Sequence, residues 1–414
     1  MRRLYTFFLS LLLPLIIARL YWKARRLPQY RARILERFFL QKIKPTPVDI
    51  WLHAVSLGEV IAATPLIEAL LQQKRTLLVT TMTPTGSMQV QKKFGARVMH
   101  QYLPYDLPWI YRRFFAAIRP RTGIIMETEL WPNLMYQAQL SNVPIILINA
   151  RISNASFKKY MYARFFFCKV LSMFQVILTQ SARDTQRFLA LGASEVHNIG
   201  NLKFDVTPCA GDNSGILEIR ARCGVQRAVI VAASTHAPEE QMLLVVLPRL
   251  QAILPAVLFI IAPRHPERFA DVRILSQNMG FITGLRSELE QLNHETEVVI
   301  MDSLGELMSV YRASDYAFVG GSLIAIGGHN VLEPIAMQVP VCCGEFMHNS
   351  AEICDELTQA NGLQQIKTAD EFVDFVSMMV RHNDRRLIQI AAASKILKLH
   401  QGAVGRALHW IRID

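Results

Sequence analysis

Residues 320–334, which read GGSLIAIGGHNVLEP, combine two glycine pairs with the signal of a helix start. The pairs at 320–321 and 327–328 permit tight turns and the close approach of a ligand, because glycine has no Cβ. Asn330 precedes an apolar run and has Glu333 three residues later, which is the spacing of a capping box. An apolar run before the glycines predicts a buried strand. A strand, a glycine loop and a helix N-terminus together favour a phosphate site.

A tight turn followed by a well-capped helix would explain many of the same residues without any ligand. That alternative accounts for the cap and for one glycine pair but leaves the second pair unexplained. Arg264 follows a strongly apolar run, 257–261, and an arginine at the end of a strand can bond a phosphate with two N–H groups. We therefore favour an anion site built from these two segments. His265 and His329 lack metal-ligand spacing, and we interpret them as lone histidines at helix starts or in the core.

Three acidic residues follow predicted strands in the first half of the chain. Ser56 and Glu59 in HAVSLGEV have the spacing of a capping box, and on spacing alone Glu59 is as easily a cap as a catalytic group. Glu127 and Glu129 in METELWPN end a second predicted strand. We expect only one of these two to enter a site, while the other reading is a cap for the helix that Pro132 helps to start.

Short apolar runs alternate with amphipathic ones from residue 48 onward, which is typical of parallel sheets covered by helices on both faces. In the first half, we predict helices over 59–72 and 130–141 and strands over 48–54, 76–81, 97–103, 122–127, 143–149, 174–179 and 195–199. A linker is predicted over 208–214. In the second half, we predict strands over 227–233, 256–262, 297–301, 315–319 and 339–343. Two doubly wound halves should place a ligand cleft at the carboxyl ends of their strands.

The boundaries follow from these patterns. The chain of 414 residues is too long for one ordinary core. We predict a membrane anchor over 1–22, one Rossmann-like domain over 23–207, a second over 215–400, and a helical tail over 401–414. Helical propensity from Asp384 onward, interrupted at Gly402 and Gly405, suggests a last helix that crosses back to the first domain.

The positive charge is concentrated at the N-terminus. The net charge is 45 − 33 = +12, and residues 1–44 alone carry eleven Lys and Arg against the single acid Glu36. Charge beside an apolar segment indicates anionic lipid, whereas nucleic-acid binding would spread it over a domain face with stacking aromatics. We expect no nucleic-acid partner.

The apolar run at residues 4–18 is 15 residues long, which is short for a bilayer span, although Arg19 could snorkel and extend it to Trp22. A cleaved signal peptide is the alternative, but no small-residue cleavage site follows the run. The basic residues after it place the rest of the chain in the cytoplasm. Spanning the bilayer and lying in its interface remain two open readings.

The sequence lacks a regular cysteine pattern and an Asp-x-Asp motif, and both absences bear on the expected chemistry. The six cysteines form no CxxC pair and no regular framework, which is typical of reduced cytosolic thiols. No Asp-x-Asp occurs, so a metal-diphosphate clamp is not indicated, and we expect neither a bound metal nor another cofactor.

Several blocks in the same order resemble one family along nearly the whole chain. They are HAVSLGE at 53–59, METELWPN at 126–133, GNLKFD at 200–205, APRHPERF at 262–269, LGEL at 304–307 and GGHNVLEP at 327–334. These blocks are similar to those of the 3-deoxy-D-manno-octulosonic acid (Kdo) transferases of lipopolysaccharide synthesis. The resemblance implies a glycosyltransferase of the GT-B architecture, which transfers Kdo from CMP-Kdo to a tetraacylated lipid A precursor (lipid IVA) with inversion.

The resemblance also implies roles for individual residues. Glu59 occupies the position of the proton acceptor, Glu129 is the second acid, and Lys203 acts with the glutamate on the transition state. The first domain would bind the acceptor and the second the CMP group, at the cytoplasmic face of the bacterial inner membrane. The nucleotide pocket implied by the family comprises Pro263, Arg264, Leu304, Gly305, Glu306, Asn330, Val331, Leu332 and Glu333.

Three expectations complete this reading. Because a helix N-terminus favours the ionised form, we expect a low pKa for Glu59. The basic and aromatic segment 157–174 either lies against a bilayer or lipid acceptor or packs its aromatics on the sheet. Two other functions remain open: a nucleotide-sugar epimerase of similar architecture, and a non-catalytic membrane protein that binds nucleotide sugars.

Overall fold

The computed structural model describes residues 2–24, 33–41, 46–205, 214–303 and 305–411. The chain divides into two compact units. The first comprises Met1–Asp205 with His400–Asp414, and the second comprises Val206–Leu399. Residues 208–213 of the predicted linker 208–214 and Leu304 lie outside the described residues, as do the basic residues in 25–32 and 42–45, whereas Ser214 begins a helix.

The first unit is built on a parallel sheet of seven strands in the order β3-β2-β1-β4-β5-β6-β7. Its strands are β1 (Ile50–His53), β2 (Leu77–Thr81), β3 (Met99–Tyr102), β4 (Thr122–Met126), β5 (Ile145–Ala150), β6 (Val176–Thr179) and β7 (Val196–Asn198). Its helices are α1 (Arg2–Ala24), α2 (Leu57–Gln72), α3 (Pro84–Phe94), α4 (Pro108–Ile118), α5 (Pro132–Leu140), α6 (Asn154–Tyr162), α7 (Arg164–Leu171) and α8 (Ala182–Leu191), with 3-10 turns at Ile34–Phe38, Gly95–Arg97 and Leu202–Phe204.

The second unit repeats this plan with a parallel seven-stranded sheet in the order β10-β11-β9-β8-β12-β13-β14. Its strands are β8 (Val229–Thr235), β9 (Leu258–Pro263), β10 (Thr283–Leu285), β11 (Val298–Ile300), β12 (Tyr316–Val319), β13 (Val341–Gly344) and β14 (Gln364–Ile366). Its helices are α9 (Ser214–Cys223), α10 (Glu239–Ile253), α11 (Phe269–Asn278), α12 (Leu307–Arg312), α13 (Leu332–Ala336), α14 (Ala351–Gln359), α15 (Ala369–Arg381) and α16 (Asn383–His400), with 3-10 turns at Pro266–Arg268 and Arg286–Gln291.

The last helix, α17 (Ala403–Trp410), packs on the first unit, where Ala403 and Ala407 are fully buried in its core. Gly402 has a φ of 87° and separates α16 from α17. Gly405, in contrast, lies inside α17 with free space around it, so the prediction of an interruption at this residue is wrong.

The α/β fold of the GT-B type, with two doubly wound parallel sheets, is confirmed. The five inner strands of the first sheet are buried on both faces, and alternate residues enter separate cores. Trp51 and Ile125 belong to one core, and Leu52 and Ile124 to the other. Burial on both faces explains why these strands read as nearly continuous apolar runs. The short edge strands β10 and β14, of three residues each, were not predicted.

Each sheet has one point where the strand order reverses. In the first sheet the chain passes from β1 to β2 and β3 and then returns to β4 on the other side of β1. In the second sheet β8 likewise lies between β9 and β12. Ligands of doubly wound sheets bind outside the carboxyl ends of the strands at such reversals. The segments after β1, β4, β8 and β12 are therefore the places to look for a site.

Helix α1 is long and apolar enough to cross a membrane, with a mean hydropathy of 1.8 over Arg2–Trp22. The N-terminal half of α1 contacts the first unit. Thr6 donates a hydrogen bond to Asn133 Oδ1 at 3.0 Å, and Leu9 and Leu13 pack against the core. Another face remains exposed, with Phe7, Leu11 and Leu15 among its apolar side chains.

Candidate functional site

Glu59 lies in the first turn of α2, directly after β1. Ser56 is the N-cap, and its Oγ accepts a hydrogen bond from the Glu59 N–H at 3.5 Å. The Ser56 hydroxyl also donates to Glu59 Oε1 at 3.1 Å, and the Val55 N–H donates to Oε2 at 2.8 Å. The predicted capping arrangement is thus present, although the carboxylate reaches the residue before the cap. Glu59 is buried, with 8% of its surface exposed.

The expectation of a low pKa for Glu59 is wrong. Burial raises its pKa to about 7, and the negative charges of Glu127 and Glu129 act in the same direction. The hydrogen bonds from Val55 and Ser56 stabilise the ionised form but do not outweigh burial. A carboxyl group with this pKa can accept a proton at neutral pH and is a stronger base than an exposed one.

Glu127 and Glu129 follow β4, the strand adjacent to β1 in the sheet. The negative charges of both act on Glu59, and which of the two side chains enters the site stays a prediction. Glu127 has a φ of 55°, a conformation that is uncommon outside glycine and occurs at functional sites. Burial also raises the pKa of Glu129 to about 7. Three carboxyl groups therefore meet where the first sheet reverses its strand order.

Neither of these two glutamates caps α5. The cap position is Trp131, Pro132 begins the helix, and the free N–H groups of Asn133 and Leu134 donate to the Asp106 carboxylate at 3.1 and 2.8 Å. The alternative reading of Glu127 and Glu129 as helix caps is therefore wrong. The Trp131 indole N–H is buried, and its geometry does not meet the criteria of a hydrogen bond. It is nevertheless directed at Glu129 closely enough to lower the pKa of that carboxyl group.

Lys203 lies in the 3-10 turn Leu202–Phe204, which packs against α2, the helix that carries Glu59. The turn is held by two side-chain amides. Asn149 Oδ1 accepts a hydrogen bond from Leu202 N–H at 3.0 Å, and Asn201 Oδ1 accepts one from Lys203 N–H at 3.0 Å. The Lys203 ammonium group forms no ion pair with the other described residues. It is a half-buried cation on the same side of the first unit as the acids.

In the second unit, the loop after β12 binds a carboxylate of the protein itself. Gly321, Ser322 and Leu323 donate their N–H groups to Glu239 at 2.7, 2.9 and 2.9 Å, and His236 N–H donates to the same group at 3.0 Å. Glu239 begins α10 and is fully buried. These N–H groups are therefore not available to a phosphate, and the role expected for the first glycine pair is corrected.

The second glycine pair is explained by packing against residues 347–349. Gly327 and Gly328 have φ values of 115° and 71°, which other residues rarely adopt. A Cβ at Gly328 would lie 2.0 Å from Met347 Sδ, and one at Gly327 would lie 2.4 Å from Asn349 Nδ2. The glycines are needed for the fold of this loop, and they do not by themselves indicate a ligand.

The predicted helix cap at Asn330 is one residue early, because Val331 occupies the N-cap position. Asn330 Oδ1 accepts a hydrogen bond from Leu332 N–H at 3.1 Å, and its amide group donates to Glu333 Oε1 at 3.2 Å. Helix α13 begins at Leu332 and has only five residues. Val331 and Leu332 are buried, so only their backbone can face a ligand.

Gly305 and Glu306 precede α12, which packs against α13. Gly305 has a φ of 95° and open space where a Cβ would be, so a ligand can approach its backbone. Glu306 is already engaged, because Arg286 donates to it at 2.8 Å and the Ser303 hydroxyl also bonds to it. This pairing makes Glu306 a poor partner for a ribose hydroxyl unless Arg286 moves.

Pro263 ends β9, and Arg264 follows it with an exposed side chain that forms no ion pair with the other described residues. Arg264 acts electrostatically on His329 and on Glu333, which places the predicted segments 263–264 and 330–333 together. Most of the predicted nucleotide pocket therefore lies at one end of the second sheet.

The sequence interpretation of His265 and His329 as lone histidines is wrong. His236, which follows β8, lies between them, with ring centroids 5.1 Å from each. Burial, Arg264 and the other two histidines lower the pKa of His329 to about 4. The position of His236 after β8, at the reversal of the second sheet, was the signal that could have identified it. Among the described residues, no group of three or more His, Cys, Asp or Glu could hold a metal ion.

The chain is similar in sequence to the proteins of one family. Residues 32–206 match the family model of 3-deoxy-D-manno-octulosonic-acid transferase (kdotransferase). The chain is 38% identical to the 3-deoxy-D-manno-octulosonic acid transferase of Haemophilus influenzae, covering 99% of this chain and 98% of that protein. It is 32% identical to the protein of the same name from Bordetella pertussis, covering 98% of each.

A solved structure with a similar fold is a putative UDP-N-acetylglucosamine 2-epimerase from Listeria monocytogenes. It has a TM-score of 0.55 and 13% sequence identity, and the match covers 88% of this chain and 95% of that one. At this identity the likeness shows the fold alone.

Proposed function

The chain belongs to the 3-deoxy-D-manno-octulosonic acid transferase family of glycosyltransferases, and we propose that it transfers Kdo from CMP-Kdo to a lipid A precursor with inversion at the anomeric carbon. The observation that carries this proposal is the group of acids after β1 and β4, where Glu59 and Glu129 both have a pKa raised to about 7. Perturbed carboxyl groups at the reversal of a doubly wound sheet are typical of catalytic sites.

Glu59 is the general base in this proposal. Its two oxygens are fixed by Val55 N–H and Ser56 Oγ, and their remaining lone pairs can accept the proton of an acceptor hydroxyl group. The acceptor oxygen forms a bond to the anomeric carbon of Kdo while the bond from that carbon to the CMP phosphate breaks. One displacement of this kind inverts the configuration. The pKa of Glu129 is also raised to about 7, and in its protonated form it can donate a hydrogen bond to the acceptor.

The second unit binds the donor in this proposal. Charge develops on the phosphate of CMP as it leaves, and Arg264 can meet that charge because no described acid neutralises it. In the first unit, Lys203 is the cation that the family resemblance assigns to the transition state. The backbone at Gly305 and the turn at Asn330 are available to the nucleoside. The cationic side chain of Arg264, in place of a divalent metal, thus meets the departing phosphate.

The acceptor is an anionic lipid, and the first unit carries a surface suited to it. Phe157, Tyr160 and Phe166 pack against the core, whereas Tyr162 and Phe165 on α6 and α7 are 94% and 68% exposed. Part of segment 157–174 thus packs on the core, and the exposed side chains are the ones that we propose contact lipid. Exposed cations lie beside these aromatics, namely Lys158, Lys159, Arg164 and Lys169. We propose that this surface and α1 face the cytoplasmic leaflet of the inner membrane.

Substitution of the exposed face of α1 tests the membrane proposal without disturbing its packing. Phe7→Ser, Leu11→Ser and Leu15→Ser together should release the protein from membranes only in part, because basic residues still attract anionic lipid. High salt should then complete the release. Deletion of residues 1–22 should give the same result but also uncover Asn133 and the core near Leu9 and Leu13. Unchanged membrane binding of the triple variant at high salt would contradict the proposal.

Release of CMP from CMP-Kdo, measured with and without the lipid acceptor, tests the function. A transferase requires the acceptor for rapid release. CMP release that is equally fast without acceptor would favour another nucleotide-sugar enzyme, and binding without any release would favour a non-catalytic protein. No specific observation supports either alternative, since the likeness to an epimerase concerns the fold alone.

A further inference from the structure

His236 and His329 form a hydrogen-bonded pair at the carboxyl ends of β8 and β12. Their Nε2 atoms are 2.9 Å apart, the ring planes differ by 3°, and the centroids are 5.1 Å apart. Because the centroid separation is only the N–N distance plus the two ring radii, the rings meet edge to edge. One Nε2 must carry a proton and the other must accept it. The pair therefore shares one proton between facing nitrogens.

The packing of the loop preserves this pair. Gly321 has a φ of 66°, and a Cβ there would lie 3.0 Å from the His329 ring and 3.5 Å from the His236 ring. The loop is fixed in turn by Glu239, which accepts N–H groups from Gly321 and His236. Both histidines are half-buried and keep some contact with solvent.

The charged groups around the pair are mainly cationic. His265 lies edge-on to His236 at 5.1 Å, and Arg264 and Arg268 also act on that ring. Arg268 is paired with Glu240 at 3.2 Å, whereas Arg264 has no ion-pair partner among the described residues. Glu239 is an acid that acts on the His236 ring, and four backbone N–H groups already bond to its carboxylate. Glu267 lies 3.9 Å from His265.

Burial and these cations favour a neutral pair in the free protein. They lower the pKa of both histidines, and burial is the larger cause for each. The negative charge of an anion bound between Arg264 and the pair would raise the pKa of the histidines, against the effect of the cations. The surroundings of the pair thus suit a negatively charged ligand.

We propose that the His236–His329 pair is a subsite for an anionic group of the donor, a phosphate or a carboxylate, and takes up one proton from solvent when that group binds. The inference rests on the proposed function, because it takes the donor to be an anionic nucleotide sugar. The new N–H bond forms on the ring that donates its Nε2 proton, at the free Nδ1 of that ring. The product is an imidazolium that keeps its hydrogen bond to the neutral partner.

Calorimetry of the full chain in detergent tests this proposal. CMP is titrated at pH 6.5 in three buffers of different ionisation enthalpy, and the slope of the observed enthalpy gives the protons taken up. When CMP enters a cationic site, its phosphate can only lose a proton. Net proton uptake must therefore come from the protein, as expected for the histidines. Free Kdo supplies a carboxylate without a phosphate, and cytidine supplies neither.

His236→Gln and His329→Gln are compared with His382→Gln, an exposed histidine of the same unit.

We expect uptake by the wild-type protein and the His382 variant, and less than half of that uptake in either pair variant. CMP affinity should fall by up to about tenfold per pH unit as the pH rises from 6 to 8, the limit for one linked proton. Uptake with CMP would identify the phosphate as the ligand of the pair, and uptake with Kdo would identify the carboxylate. Equal uptake in all variants would overturn the subsite alone. Failure of CMP to bind the wild type would contradict the proposed function as well.

Discussion

The Val55 N–H donates a hydrogen bond to Glu59 Oε2 at 2.8 Å, which ties the carboxylate to the end of β1. This contact joins two roles that the sequence left as alternatives. The same side chain completes the cap of α2 and lies beside two further acids at the reversal of the first sheet. Capping fixes the position of the base, and burial sets its pKa.

Glu59→Gln separates these two roles. The glutamine oxygen can still accept the Val55 N–H, so we expect a folded protein with unchanged CMP affinity. The amide cannot accept a proton, and turnover should fall at least about a hundredfold. Steady-state kinetics measures the loss. Glu68→Gln is the matched control, because Glu68 is a half-buried acid on the same helix α2 and pairs with Arg97. Near-normal turnover of Glu59→Gln would show that the residue is a cap only.

The pH dependence of kcat/KM should report Glu59. A base must be deprotonated to act, so activity should rise with pH through about 7, the pKa that burial gives this group. Glu127→Gln removes a negative neighbour that raises this pKa, and the acid limb should move to lower pH. Because Glu129 also titrates near 7, the limb belongs to the coupled acids together. An acid limb near pH 4.5 in both proteins would contradict the assignment.

Arg264→Ala should weaken CMP binding roughly tenfold to a hundredfold, as expected for loss of a hydrogen bond to a charged phosphate. Its side chain has no ion-pair partner among the described residues, so the stability of the second unit should not decrease. Calorimetry gives the affinity, and Arg249→Ala, an exposed residue paired with Asp370, is the control. Unchanged CMP affinity would remove Arg264 from the donor site.

Glu239→Gln should loosen the loop after β12, because an amide cannot accept from all four N–H groups that the carboxylate binds. We expect a loss of about 3 kcal/mol in the stability of the second unit. Hydrogen exchange of residues 320–323 should accelerate. All five tryptophans lie in the first unit, so their fluorescence is an internal control that should not change. Glu267→Gln is the exposed counterpart, and equal exchange in both variants would contradict the role of Glu239.

The sequence predicted the central strands well because burial on both faces leaves a continuous apolar run, as in β4 and β9. It did not predict β10 or β14, since three residues, most of them half-buried, carry no clear period. The cap at Ser56 was readable because capping is a local interaction. The pKa of Glu59 was not, since it depends on burial and on acids that follow a different strand.

In the second unit, too, local features were predicted from the sequence and long-range contacts were not. The glycines after β12 were correctly read as a loop, but Glu239, which accepts the N–H of Gly321, lies more than eighty residues away in the chain. The pairing of His236 with His329 also depends on which strands are neighbours. Spacing along the chain identifies local turns, whereas the contents of a site follow from the strand order.

Incubation of the full-length protein with CMP-Kdo and the lipid A precursor, followed by mass spectrometry of the lipid, tests the central claim most directly. We predict that the mass of the lipid increases by one or more Kdo residues with the wild-type protein and with Glu68→Gln, and at least about a hundredfold more slowly with Glu59→Gln. An unmodified lipid in the presence of folded, CMP-binding protein would contradict the assignment of this chain as the enzyme that transfers Kdo to that acceptor.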